Sequence, residues 1–189
     1  KKAYIGVGGV ARPCFSGGGQ LTYYGQAPEA SGQTSAGACV GGYAVFSGYV
    51  TEAYNASLTK TVLTSLSRAG RDCCGTSIPG YAIFFAVDGY PAEAYNTGLT
   101  KVITSVVHPN TKCAAASVGE YALFAGGMVS DSDGDYGINT VTACDTSLTA
   151  SRPTALALHR WDLAGASIGN YALFGGGDYG GYTCNTVDA

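Results

Sequence analysis

Tyr121-Ala122-Leu123-Phe124-Ala125-Gly126-Gly127 decides how this chain is read, because its opening Tyr-Ala-x-Phe returns three more times. The other copies are Tyr43-Ala44-Val45-Phe46, Tyr81-Ala82-Ile83-Phe84 and Tyr171-Ala172-Leu173-Phe174, at spacings of 38, 40 and 50 residues. A Leu-Thr pair falls 22 or 23 residues ahead of each Tyr, at Leu21-Thr22, Leu58-Thr59, Leu99-Thr100 and Leu148-Thr149. A third marker precedes the later pairs, where Ala53-Tyr54-Asn55, Ala94-Tyr95-Asn96 and Ala143-Cys144-Asp145 align. Markers in fixed phase define an internal repeat, the feature to establish before any secondary structure.

Between markers the segments are short and mix small with large residues, and none carries apolar residues at helical spacing over ten positions. Strands fit that pattern. In the third repeat we expect strands at Ala114–Val118, Tyr121–Ala125, Asn139–Cys144 and Thr154–Leu158, with a long polar loop before Asn139. The first of these is rich in small residues and suits a crowded axis. Four antiparallel strands per 40 to 50 residues is the period of a propeller blade. The expected class is therefore all-β, a propeller of four repeats of four strands.

The same residues resemble the kelch family. The likeness rests on the apolar strand ending in a Gly doublet (Phe124-Ala125-Gly126-Gly127 and Phe174-Gly175-Gly176), on Asn139-Thr140-Val141 leading to Cys144-Asp145, and on Arg71 opening a blade. It covers residues 21 to 189 and implies a kelch-like β-propeller. The last repeat stops at Asn185-Thr186-Val187-Asp188-Ala189, while Gln20-Leu21-Thr22-Tyr23-Tyr24 reads as a fourth strand without its first three. We expect the ring to close by pairing Leu21–Tyr24 with Thr183–Val187, which would remove two exposed edges. A section of a longer or multi-chain ring is the alternative.

Residues 1–19 stand apart from the propeller region 20–189. Lys1 to Arg12 predicts a small hairpin around Gly8-Gly9. The segment resembles short units near the start of tail-associated proteins of phages and prophages of Gram-positive bacteria, and so implies a virion setting. The plainer reading is a leader strand that packs on the ring or on a neighbouring sheet.

Composition narrows the partners. Charged residues make up 12% of the chain, against a usual value of about 25%, while Gly numbers 29 and Tyr 14. A net charge of −3 gives no electrostatic footprint for nucleic acid. No apolar run approaches the length needed for membrane insertion, and Lys1-Lys2-Ala3-Tyr4 lacks the apolar core of a signal peptide.

Chemistry-bearing motifs are sparse. Cys14, Cys39, Cys73, Cys74, Cys113, Cys144 and Cys184 show no C-x-x-C spacing, and the two histidines, His108 and His159, lie apart from them. Mostly reduced, buried thiols are expected, with one bridge between neighbouring blades left open. Cys73 and Cys74 should point to opposite faces. Asp131, Asp133 and Asp135 begin a calcium-loop pattern, but Tyr136 and Thr142 stand where Gly and Glu are required, so a solvated hairpin loop is favoured.

No acid, base and nucleophile assemble in the sequence. A kelch-type oxidase would need copper ligands beyond two histidines. Catalytic residues, cofactor and metal are accordingly expected to be none. Trp161 and the tyrosines outside the repeat positions, such as Tyr23, Tyr24, Tyr49, Tyr90, Tyr136, Tyr179 and Tyr182, could stack on sugars from a loop face, although most Tyr in a strand-rich protein serves packing.

The leading expectation is a non-enzymatic structural or adhesion component of a bacteriophage, virion-borne or extracellular. Its partners would be other copies, virion proteins or a cell-surface glycan. The alternative is a secreted or surface bacterial propeller that binds glycan or protein through its loops.

Overall fold

The computed structural model describes residues 2–7, 10–16, 36–68, 72–85, 89–108, 111–132 and 134–189. The chain divides into two compact units, Lys1–Ser31 and Gly32–Ala189. In the first, β1 (Lys2–Val7) and β2 (Val10–Ser16) pair antiparallel with Val7 opposite Val10. Leu21–Tyr24, the expected closing strand, lies outside the described residues, as does Arg71.

The second unit is a series of meander sheets, one per repeat. The first holds β3 (Ala36–Val40), β4 (Tyr43–Ser47), β5 (Thr51–Tyr54) and β6 (Lys60–Leu63). The second holds β7 (Cys74–Ile78), β8 (Tyr81–Phe85), β9 (Pro91–Asn96) and β10 (Lys101–Val107). The third sheet begins with β11 (Ala114–Val118) and β12 (Tyr121–Ala125). A separate hairpin, β13 (Met128–Asp131) and β14 (Gly134–Gly137), follows before β15 (Val141–Cys144) and β16 (Ala150–Ser151) complete it. The fourth sheet starts with β17 (Ala164–Ile168) and β18 (Tyr171–Gly175). After the hairpin β19 (Asp178–Tyr179) and β20 (Tyr182–Thr183), β21 (Val187–Asp188) adds its third strand. Every element among the described residues is a strand, and no sheet closes on itself.

The sequence markers now have physical causes. Tyr-Ala-x-Phe is the second strand of each sheet, and in the first two sheets its Ala sits opposite a Tyr of the third strand: Ala44 faces Tyr54 and Ala82 faces Tyr95, while Ala122 faces Cys144 in the third. A small residue there leaves room for its cross-strand neighbour. The Asn-to-Thr markers are the two ends of one tight turn. Asn55 Oδ1 accepts N–H groups from Ser57 and Thr59, Asn96 Oδ1 from Gly98 and Thr100, and Asp145 Oδ1 from Ser147 and Thr149. Each turn puts its Leu in the left-handed region, with φ of 59° at Leu58, 60° at Leu99 and 59° at Leu148. Because the third turn is this short, the chain reverses at once. The fourth strand of the third sheet is therefore Ala150–Ser151, and not the expected Thr154–Leu158.

The first strands β3, β7, β11 and β17 lie side by side in chain order. They line a shared cavity of about 380 Å³ in which Cys39, Ser77, Ser117 and Ser167 occupy the same repeat position. The strands meet through side chains here: Ser77 Oγ accepts the Cys39 N–H at 2.6 Å, and Ser167 Oγ accepts the Ser117 N–H at 2.8 Å. Crowding explains the small residues, since a Cβ on Gly165 would lie 2.2 Å from the Ala115 carbonyl oxygen.

Three apolar cores fill the three gaps between successive sheets. Val45, Ala53, Phe84 and Tyr95 pack between the first and second. Ile83, Phe85, Val106 and Phe124 fill the second gap, and Ala114, Leu156, Leu163 and Phe174 the third. The middle sheets thus contribute buried residues to a core on each side, although Ile103 and Tyr121 stay exposed. The end sheets leave Phe46 and Val62, and Ile168, Tyr171 and Val187, exposed.

Candidate binding face

Among the described residues of the second unit, two hairpins belong to no core sheet: β13–β14 in the third repeat and β19–β20 in the fourth. Each springs from a Gly doublet, and both doublets are left-handed, with φ of 65° and 113° at Gly126 and Gly127 and of 70° and 97° at Gly176 and Gly177. Space adds a second reason for glycine. A Cβ on Gly126 would sit 2.7 Å from the Arg160 carbonyl oxygen, and one on Gly177 would sit 2.6 Å from that of Trp161. The first repeat lacks the doublet, and there a turn at residues 48–50 joins β4 directly to β5.

Each hairpin folds back onto the segment leading into its own sheet. Met128 and Thr111 exchange backbone hydrogen bonds of 2.8 and 3.3 Å, and Asp178 and Trp161 exchange bonds of 2.8 and 3.2 Å. Trp161 also reaches the other hairpin, since a Cβ on Gly137 would come within 2.9 Å of its ring. One residue therefore joins the two hairpins into a single surface.

Two residues before Trp161 in the chain, the His159 ring packs at a tilt against Tyr179, with centroids 4.6 Å apart at 47°. Tyr136, Tyr179 and Tyr182 are exposed, Tyr182 by 76% of its area. The β19–β20 turn at Gly180-Gly181 is held by Asp178, whose carboxylate accepts the Gly181 N–H at 2.7 Å. The two hairpins thus present exposed aromatic side chains, Tyr136 on one and Tyr179 and Tyr182 on the other, of a kind that can stack against apolar faces of a polar ligand.

The hairpin loop expected at Asp131–Gly137 is the tip and second strand of the β13–β14 hairpin, with Val129 opposite Tyr136 and Ser130 opposite Asp135. Asp131 and Asp135 lie in this extended ladder, and Asp133 is outside the described residues. No cluster of three His, Cys, Asp or Glu side chains among the described residues could hold a metal.

His108 lies apart from this face, fully buried between the second and third sheets. Its Nε2–H donates to the Gly126 carbonyl at 2.9 Å, so Nδ1 is left to accept the Thr142 hydroxyl at 3.0 Å, and its ring meets the Phe85 edge at 5.6 Å. Burial pushes the imidazolium down, with Arg152 adding to the effect and the Gly126 carbonyl opposing it. The pair resembles a base with its hydroxyl, but both partners are buried. Its task is to hold Gly126 at the root of a hairpin.

Two further groups carry structure that motif reading passed over. Arg160, fully buried, donates from Nη1 to the Thr186 carbonyl at 2.8 Å and from Nη2 to the Phe174 carbonyl at 3.0 Å, and pairs with Asp188. Glu93 accepts from the Ser67 hydroxyl and amide at 2.6 Å each and from Lys101 at 3.1 Å. Burial alone would raise the Glu93 carboxyl, but these donors outweigh it and hold it below its ordinary value.

The sequence matches no protein-family model and no curated protein.

Proposed function

We propose that this chain is a non-enzymatic structural or adhesion component of a bacteriophage particle, built on a kelch-like propeller of four blades. The propeller reading draws on four successive meanders whose first strands share one cavity. Ring closure would also bury the apolar residues left exposed on the first and fourth sheets. The fourth sheet has three described strands, and Leu21–Tyr24 is the segment assigned to complete it. The virion setting draws on the likeness of Lys1–Arg12 to phage tail-associated units.

The adhesion role is carried by one observation: Trp161 lies against both hairpins, which carry the exposed Tyr136, Tyr179 and Tyr182. Aromatic rings bind sugars by covering the apolar C–H face while neighbouring carboxylates accept hydroxyl donors. A cell-surface glycan is therefore the proposed ligand, and other copies or virion proteins are the proposed structural partners.

Replacing residues 129–136 by Asn-Gly would close a two-residue turn between Met128 and Gly137, which already face each other. In a glycan array and a whole-cell binding assay the parent should bind and this variant should not, with unchanged melting. Binding retained by the variant moves the site away from the hairpins. A parent that binds nothing in either assay removes adhesion and leaves a structural part, and absence of the chain from purified virions by mass spectrometry removes the phage setting.

A further inference from the structure

We propose that Cys74 and Cys113 are the two halves of a disulfide that ties the second sheet to the third, formed by exchange with a small-molecule disulfide such as oxidised glutathione. Their Sγ atoms lie 2.7 Å apart, inside the contact distance of two unbonded sulfurs, and the residues are 39 positions apart in the chain. Both are buried in the same apolar core.

The repeat shows why these two meet. Cys74 opens the first strand of its sheet, the position filled by Ala36, Ala114 and Ala164 in the others. Cys113 precedes that strand in the next sheet, the position of Cys73 and Leu163. Residues at these two positions share a core at every junction: Ala36 with Cys73, Cys74 with Cys113, and Ala114 with Leu163. Only the middle junction brings two cysteines to it. Cys73 enters a different core from its neighbour Cys74, so the two adjacent thiols serve opposite faces of the sheet.

A cavity of about 330 Å³, lined by Cys73, Cys74, Cys113, Asp72, Lys112 and Asp162, gives an exchange partner access. The thiolate of one cysteine attacks a sulfur of the small disulfide, forming a mixed disulfide and expelling one small thiolate. The second protein thiolate then attacks the protein sulfur of that mixed disulfide and expels the other. The protein loses two electrons and two protons, and the small disulfide is reduced to two thiols. The product encloses a long segment of the unfolded chain and restricts it.

This inference is independent of the adhesion reading and survives its failure. The test holds the full chain in glutathione buffers of graded oxidised-to-reduced ratio, then quenches with acid, denatures, alkylates and weighs. The expected oxidised form takes up two fewer alkyl groups than the fully reduced form with its seven cysteines. Digestion should give a cross-link between a peptide containing Cys74 and one containing Cys113. Cys74→Ala and Cys113→Ala should abolish the link, while Cys73→Ala and Cys144→Ala should keep it. The oxidised form should also melt several degrees above the reduced one. Full alkylation of the oxidised native chain, a link mapping to Cys73 or Cys144, or a link without a rise in melting temperature each overturns the proposal. The mass measurement on the unmutated chain decides even if a variant fails to fold.

Discussion

The junction between the second and third sheets and the junction between the third and fourth both hold an apolar core, yet their polar anchors differ. In the former the Phe85 ring packs against Phe124 at 6.1 Å and against His108, whose bonds to Gly126 and Thr142 are uncharged. At the latter, Arg160 reaches from the connection between the sheets to three groups on β18 and the C-terminal segment. A sheet flanked on both sides is fixed by a core on each side. The fourth sheet has one described neighbour and its last paired strand is two residues long, so its third strand depends on a specific polar anchor.

Breaking each junction should separate these modes. Phe85→Ala removes a fully buried ring and should cost about 3–5 kcal/mol, the usual range for such a cavity. Arg160→Leu keeps the volume but strands Asp188 and two carbonyls. Because the Asp188 side chain is 20% exposed, the loss should fall near the low end of the buried-pair range, about 3 kcal/mol. Adding Asp188→Asn should recover part of the second loss and none of the first. Urea denaturation of the parent and the four variants checks this, and a Phe85→Ala loss rescued by Asp188→Asn would erase the distinction.

A second contrast is set by pH. Folded His108 takes up a proton less readily than it does in the unfolded chain, where its ordinary value is 6.5. Below that value the unfolded state binds more protons, so the stability His108 contributes is present above pH 6.5 and is lost progressively as pH falls. His108→Gln keeps a donor and an acceptor without titrating. It should flatten the pH dependence of the urea midpoint between about 6.5 and 5, the window where unperturbed His titrates. An unchanged slope would mean that other groups govern acid stability there.

Much of this frame is legible in the sequence because its markers are local. Tyr-Ala-x-Phe announces a strand, Asn or Asp before Leu-Thr announces a side-chain-capped turn, and Ala114–Val118 and Tyr121–Ala125 coincide with β11 and β12. What escaped depends on partners far along the chain. Arg160 gains its meaning from Asp188, and His108 from Gly126. The polar stretch after Gly127 reads as a loop because Ser130–Tyr136 has little apolar content. Its strands are stabilised from outside, through Thr111 and Trp161. A signal for the Cys74–Cys113 contact was present: the two fall at adjoining phases of successive repeats.

The smallest expected effect tests why each turn keeps a Leu in a conformation that disfavours side chains. A left-handed residue other than Gly costs about 1–2 kcal/mol, and Gly relieves it at an entropic cost of about 0.5–1 kcal/mol. On backbone grounds alone, Leu58→Gly and Leu148→Gly should both be mildly stabilising. Packing separates them. Leu58 is 39% exposed, whereas Leu148 packs against the core between the second and third sheets. Leu58→Gly should therefore gain about 0.5 kcal/mol, while Leu148→Gly should lose about 1 kcal/mol because the forfeited apolar contact exceeds the relieved strain. Paired thermal melts resolve a difference of this size. Equal shifts in one direction would show that the turn alone governs the choice of Leu, and opposite shifts would show that the repeat spends backbone strain to place an apolar side chain at the junction flanked on both sides.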